Sequence, residues 1–120
     1  MEQTIALTQK ALRKRGFPTI VVGSRELSYW GGQGNFRIST LPGNARVVVS
    51  HAVWLPVEKR GLGIGKRLLR VRMAALKEAG VKLVLATVKN RNAREIRLLR
   101  GKNWKRLVKF GSTSLWGKAL

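Results

Sequence analysis

Three glycines at alternate positions, followed by a lysine, form the stretch of this sequence best suited to bind an anion. Gly61 and Gly63 follow a segment rich in valine, and Gly65 lies in the first turn of a predicted helix over 64–79. A helix that begins in such a turn presents unpaired backbone N–H groups at the positive end of its dipole. Because glycine has no side chain, an anion can approach these groups closely. The turn therefore predicts a phosphate-binding loop over 60–66.

Two well-known phosphate loops do not fit this stretch. A Walker loop has four residues between its first glycine and the Gly-Lys pair, and then Ser or Thr; here only three residues separate Gly61 from Gly65, and Arg67 follows the lysine. A dinucleotide-binding fingerprint requires a glycine where Lys66 stands and an acidic residue about twenty positions later, and neither is present. A turn that merely connects a strand to a helix is the alternative interpretation.

Residues able to carry catalysis are few. The sequence has no cysteine, one histidine and five acidic residues. It therefore excludes a disulfide framework, a thiolate zinc site and a cysteine nucleophile, and no metal site is expected. The histidine, His51, follows the valine-rich segment and titrates near neutral pH, so it could accept a proton from an ammonium group. A partly buried strand histidine with a satisfied hydrogen bond is the alternative.

The charge is strongly unbalanced, with 25 basic against 5 acidic residues and a formal net charge of +20. Such an excess predicts a polyanionic partner, and nucleic acid contacted through its phosphates is favoured over a merely solvated face. The four tryptophans are more typical of a core than of base stacking. The residues predicted to contact nucleic acid are Arg91, Arg94, Arg97, Arg100, Lys102, Lys105 and Arg106.

Hydrophobic periodicity and turn residues predict one mixed α/β domain over 1–120. No apolar stretch is long enough for a membrane helix, and the first residues do not resemble a secretory signal. The predicted elements are a helix over 2–15, a strand over 19–22, a hairpin formed by 29–30 and 36–38, a strand over 46–55, a helix over 64–79, a central strand over 82–88, a helix over 92–100 and a last strand over 104–110.

The loop resembles the acyl-CoA loop of the GNAT family of N-acetyltransferases. That loop reads Arg/Gln-x-x-Gly-x-Gly/Ala, and the run from Arg60 to Gly65 matches every fixed position. A later segment is similar to the family pattern N-x-x-A-x-x-L-Y-x-x-x-G-F, which begins here at Asn92 and reaches Trp104. The similarity covers about 46–110 and implies a small, basic member whose central, mostly antiparallel sheet has splayed strands and flanking helices.

The resemblance also implies a site and a reaction. Acetyl-CoA would be the donor, and an acceptor amine would attack its thioester directly, since no nucleophile is available for a covalent intermediate. The backbone of 61–66 would hold the pyrophosphate, the edge at 53–55 would pair with the pantetheine arm, and His51 would be the base. The residues implied for the donor are Val53, Trp54, Leu55, Arg60, Gly61, Leu62, Gly63, Ile64, Gly65, Lys66 and Asn92.

Several positions depart from the family pattern. Leu99 stands where many members have the tyrosine that protonates the departing thiolate, Glu95 replaces a usual alanine and Asn103 a usual glycine. The strand before the loop offers no glutamate as base. The alternative prediction is therefore a GNAT-like basic protein without turnover that binds nucleic acid or a nucleoprotein or virion assembly, similar to small basic bacteriophage proteins. A cytoplasmic or virion-associated location is expected, and the acceptor amine and the oligomeric state stay open.

Overall fold

The structure is a computed structural model that describes residues 2–31, 34–51 and 57–120, without the side chains of Ala45 and Val57. The helices and strands, in chain order, are α1 (Gln3–Lys14), β1 (Ile20–Val22), β2 (Glu26–Gly31), β3 (Gly34–Leu41), β4 (Asn44–Ser50), α2 (Ile64–Glu78), β5 (Leu83–Lys89), α3 (Ala93–Gly101), β6 (Lys105–Phe110) and β7 (Thr113–Ala119). A single 3₁₀ turn, Val57–Lys59, precedes the glycine-rich loop.

The strands form one seven-stranded sheet in the order β1-β2-β3-β4-β5-β7-β6. Every neighbouring pair is antiparallel except β4 and β5, which are parallel and joined through α2. A parallel pair needs such a crossover, and crossovers of this kind are almost always right-handed. The predicted mostly antiparallel sheet flanked by helices is confirmed.

The three helices pack on one face of the sheet. Residues from all three helices join a single core with every second residue of the central strands, among them Val48, Val84 and Ala86. The core side of α2 follows the predicted helical spacing, with Leu68, Leu69, Met73 and Leu76 buried. Among the described residues, no helix covers the opposite face of the sheet.

The carboxylate of Glu2 fixes the start of α1. It accepts a hydrogen bond from the Thr4 backbone N–H at 2.6 Å and another from the Thr40 hydroxyl on β3. Burial alone would raise the pKa of Glu2, but these hydrogen bonds outweigh it, so the pKa is lowered. Glu2 therefore caps the helix and ties it to the sheet.

The sequence predicted most elements and missed one. The strand predicted last, over 104–110, is β6 at the sheet edge, and β7 follows it and inserts between β5 and β6. Gly111 turns the chain between these two strands at a φ of 60°. The strand predicted over 46–55 corresponds to β4, although 52–55 lie outside the described residues. None of the described helices is long and apolar enough to cross a membrane.

Candidate functional site

The glycine-rich loop has the backbone conformation that anion binding requires. Gly61 and Gly63 have φ values of 80° and 78°, in the left-handed region that favours glycine. Gly63 is the N-cap of α2 and provides no side-chain cap, so the first-turn amides keep their donors available. A Cβ atom at either glycine would meet no atom within 4 Å, so the space in front of the loop is open.

This loop forms one wall of a cleft of about 710 Å³, here called the loop cleft. The facing wall comes from α3, including its N-cap Asn92. Five basic side chains border the cleft: Arg60 from the loop region, Lys66 and Arg72 from α2, and Arg94 and Arg97 from α3. The first-turn amides at the positive end of α2 and these five cations together favour a ligand with several negative charges.

A second cleft, of about 370 Å³, lies where β4 and β5 part; we call it the strand cleft. Pairing between the two strands ends at Val49 and Leu85, whereas β5 continues to Lys89. Ser50, on the helix face, and His51, on the opposite face, both line this opening. The strand cleft therefore extends from the helix side of the sheet toward its uncovered side.

His51 is held by side chains on the uncovered face. Its Nε2 lies 3.0 Å from the Ser39 hydroxyl, which is 3.4 Å from a Glu26 carboxylate oxygen. A hydroxyl that donates its proton to Glu26 must accept from the imidazole, so Nε2 carries the hydrogen and Nδ1 keeps its lone pair. Burial and the charge of Arg37 lower the pKa of His51, against an opposing effect of Glu26. The imidazole is therefore a neutral proton acceptor at pH 7.

Arg72 and Glu95 line both clefts, at the place where the two meet. The Arg72 guanidinium is buried, donates to the Ser50 hydroxyl at 2.6 Å and lies 5.1 Å from the centre of the Phe36 ring. Burial lowers the pKa of Arg72 to about 10, although the charge of Glu95 opposes this effect. Burial raises the pKa of Glu95, and the charge of Arg72 offsets only part of that rise.

Most residues predicted to bind the donor meet at the loop cleft. Arg60, Gly61, Gly63, Gly65, Lys66 and Asn92 all line it. Leu62 and Ile64 are absent from its lining; the Leu62 side chain is 70% exposed and Ile64 packs against the core. Val53, Trp54 and Leu55, predicted to pair with the pantetheine arm, lie outside the described residues.

The residues predicted to contact nucleic acid do not share one surface. Arg94 and Arg97 line the loop cleft, whereas Arg100 lies over the ring of the buried Trp116. Arg91 is exposed beside the α3 N-cap, and Lys102 follows the end of that helix. Lys105 and Arg106 lie on the exposed edge strand β6 and alternate between its two faces.

The sequence did not predict two residues that line the clefts, Arg72 and Glu95, or two that hold His51, Glu26 and Ser39. The signal for Arg72 was present, because it occupies a core position of α2, four residues after Leu68 and four before Leu76. The sequence showed that Glu95 stands where the family pattern has alanine, but it did not indicate that this side chain is partly buried. Glu26 and Ser39 carried no signal, because strand register alone brings them to His51.

No protein-family model matches this sequence, and no curated protein is similar to it. Solved structures are similar in fold. An acetyltransferase from Thermus thermophilus matches with a TM-score of 0.70 and 17% identity, over 92% of this chain and 71% of that one. An acetyltransferase of the GNAT family from Streptococcus pneumoniae matches with a TM-score of 0.66 and 15% identity, over 79% of this chain and 66% of that one. The chain has the GNAT fold.

A third similar structure contains coenzyme A. The PaiA N-acetyltransferase from Thermoplasma acidophilum, solved in complex with coenzyme A, matches with a TM-score of 0.68 and 15% identity, over 96% of this chain and 69% of that one. The GNAT fold predicted from the loop motif and the order of elements is thus confirmed by the three-dimensional comparison.

Proposed function

We propose that this protein is an acyl-CoA-dependent N-acyltransferase that transfers an acetyl group from acetyl-CoA to an amine. The observation that carries the proposal is the loop cleft, where a helix N-terminus without a side-chain cap and five cations border one open space. A similar fold in complex with coenzyme A supports it.

The residues present fit the acyl donor. Coenzyme A carries a pyrophosphate and a further phosphate, and the loop amides with Arg60 and Lys66 supply matching donors and charges. The strand cleft then leads from the loop cleft past Arg72 and Glu95 to His51. A thioester arm lying along this path would bring its carbonyl carbon to the opening between β4 and β5.

The reaction that this geometry favours is direct attack in a ternary complex. Two bound reactants held in contact react far faster than free ones, so positioning supplies much of the rate. The nitrogen of the acceptor forms a bond to the thioester carbon, the carbon–sulfur bond breaks, and His51 takes a proton from the nitrogen through Nδ1. The acceptor approaches from the uncovered face of the sheet, where His51 lies.

The test is thiol release from acetyl-CoA in the presence of a panel of amines that includes a polyamine, a peptide α-amine and a lysine side chain. Because the protein has no cysteine, a thiol reagent reads released CoA alone. Saturable CoA binding together with amine-dependent thiol release is expected. Binding without release from any amine would favour a domain without turnover, and absence of binding would overturn the proposal.

Arg94 and Arg97 are expected to contribute to CoA binding, contrary to the assignment made from sequence. Replacing both with Gln removes two of the five cations that border the loop cleft, so the Kd for CoA should rise about tenfold. Arg100→Gln is the matched control, because its guanidinium lies over Trp116 instead of in the cleft. Calorimetric titration with CoA measures the effect, and equal Kd values for the double variant and the control would contradict it.

A second candidate function is binding of nucleic acid through phosphates, which the net charge of +20 favours. Duplex DNA should bind without sequence preference, and neutralisation of about six phosphates would give a slope of log K against log[salt] near −5. Arg100, Lys105 and Arg106 lie away from the loop cleft, so replacing them with Gln should reduce this slope and spare CoA binding. An unchanged slope would show that these three side chains do not contact the DNA.

A further inference from the structure

Glu95 is the only carboxylate among the described residues that line either cleft. It lies on α3, one turn after Asn92 and one turn before Leu99, and all three contribute to the strand cleft. Glu95 therefore lies beside the path along which the thioester arm would lie.

The Glu95 carboxylate has no partner among the described residues that would account for its position. Its backbone N–H donates to the Asn92 side chain, but its side chain makes no hydrogen bond to the described residues. No nitrogen of Arg72 lies within 4.0 Å of its oxygens, so the two do not form a direct ion pair. A half-buried carboxylate without a partner is costly, and such groups are often found where they act chemically.

Charged and titratable groups face Glu95 from several elements. In the strand cleft they are Arg72 of α2, Lys89 of β5 and His51 after β4; in the loop cleft they are Arg60, Lys66, Arg94 and Arg97. Cations favour the ionised carboxylate, yet burial has the larger effect and raises the pKa of Glu95. A thioester arm that displaces water from the cleft would raise this pKa further.

We propose, on the basis of the function proposed above, that Glu95 is a catalytic residue that donates a proton to the sulfur of the departing CoA. As the amine nitrogen bonds to the carbonyl carbon, the carbon–sulfur bond breaks and its electron pair goes to sulfur. The Glu95 carboxyl gives its proton to that sulfur, and His51 takes a proton from the nitrogen. Exchange with solvent then restores both groups, so atoms and charges balance.

The surroundings of His51 and Glu95 suit their roles as proton acceptor and proton donor. Burial acts in opposite directions on them, keeping His51 neutral as a proton acceptor and favouring the protonated form of Glu95 as a donor. Leu99, one turn further along α3, has no proton to give and is buried in the core. A carboxyl reaching into the cleft from the preceding turn supplies a donor on the same wall.

The kinetic test compares Glu95→Gln with wild type by thiol release. We expect kcat to fall about tenfold to a hundredfold with an unchanged Kd for CoA. Wild-type kcat should fall as pH rises through the pKa of Glu95, because the ionised carboxylate has no proton to donate, and this alkaline limb should vanish in Glu95→Gln. Glu78→Gln removes an equal charge at the far end of α2 and should match wild type. An unchanged kcat and pH profile in Glu95→Gln would overturn the proposal.

Two further measurements make the test independent of turnover and of the stability of one variant. Glu95→Asp keeps the charge near Arg72 but shortens the reach, so kcat should fall while the alkaline limb remains. Carbon-detected NMR of the Glu95 carboxyl should give a pKa above 4.5 that rises further with CoA. A carboxyl that does not respond to bound CoA would overturn the proposal even if the enzyme turns over, whereas a wild type that does not bind CoA would overturn the proposed function and this proposal with it.

Discussion

Replacing Gly63 by glutamate is expected to weaken CoA binding at least about a hundredfold, or about 2.7 kcal/mol. Gly63 is the N-cap of α2 at a φ of 78°, and a side chain there would project into the open space of the loop cleft. A carboxylate in that space would repel the pyrophosphate and occupy the positive end of the helix. Calorimetric titration with CoA measures the loss.

The matched control for this change is Gly63→Ala. Both variants carry the strain of a left-handed non-glycine residue, about 1–2 kcal/mol of stability, but only one carries the charge. Alanine's Cβ would meet nothing within 4 Å, so Gly63→Ala should retain most of the affinity. If both variants bind CoA equally well, the loop does not hold the pyrophosphate.

His51→Ala is expected to lower kcat/KM by about 10²–10⁴-fold, the usual contribution of a general base, with an unchanged Kd for CoA. Wild-type activity should rise with pH through a midpoint below 6.5, because only the neutral imidazole accepts a proton and burial lowers its pKa. His51→Ala should lose this acid limb.

The pH dependence also tests the effect of the Glu26 charge on the pKa of His51. Its negative charge raises the pKa of His51, so Glu26→Gln should move the acid limb to lower pH. Ser39→Ala removes the hydrogen bond at Nε2 and should lower kcat while leaving CoA binding intact. A loss of less than threefold in His51→Ala on a verified acceptor would assign proton removal to water.

The sequence predicted the elements that follow local rules. Helix α2 has an apolar stripe and begins after a glycine, and α3 begins at Asn92, whose side chain accepts a hydrogen bond from the Glu95 backbone N–H. The first and last residues of both helices were therefore predicted to within a residue or two. Strand β7 was missed although a Gly111-Ser112 turn marks a hairpin, because Gly117 and Lys118 weaken its strand pattern. Gly117 belongs there because Leu107 of β6 occupies the space of a side chain.

The glycine-rich loop was predictable because its residues are contiguous, whereas the surroundings of His51 were not. Glu26, Ser39 and His51 come from three segments, and pairing of β2 with β3 and of β3 with β4 brings them together. Arg72 of α2 and Glu95 of α3 are separated in the chain by β5, so only the fold brings them to the same place. Composition did not show that Arg94 and Arg97 line the loop cleft, because net charge does not indicate which side chains face a cleft.

The opening between β4 and β5 has a kinetic consequence. It extends from the helix side of the sheet toward the uncovered side, so under the proposed function the donor would enter from the helix side and the acceptor from the uncovered side. Under the proposed function neither reactant blocks the route of the other, and spent CoA leaves without displacing the acylated product. A polymer bearing several amines can therefore remain on the sheet face while successive donors are exchanged behind it, which makes repeated modification within one encounter compatible with this architecture.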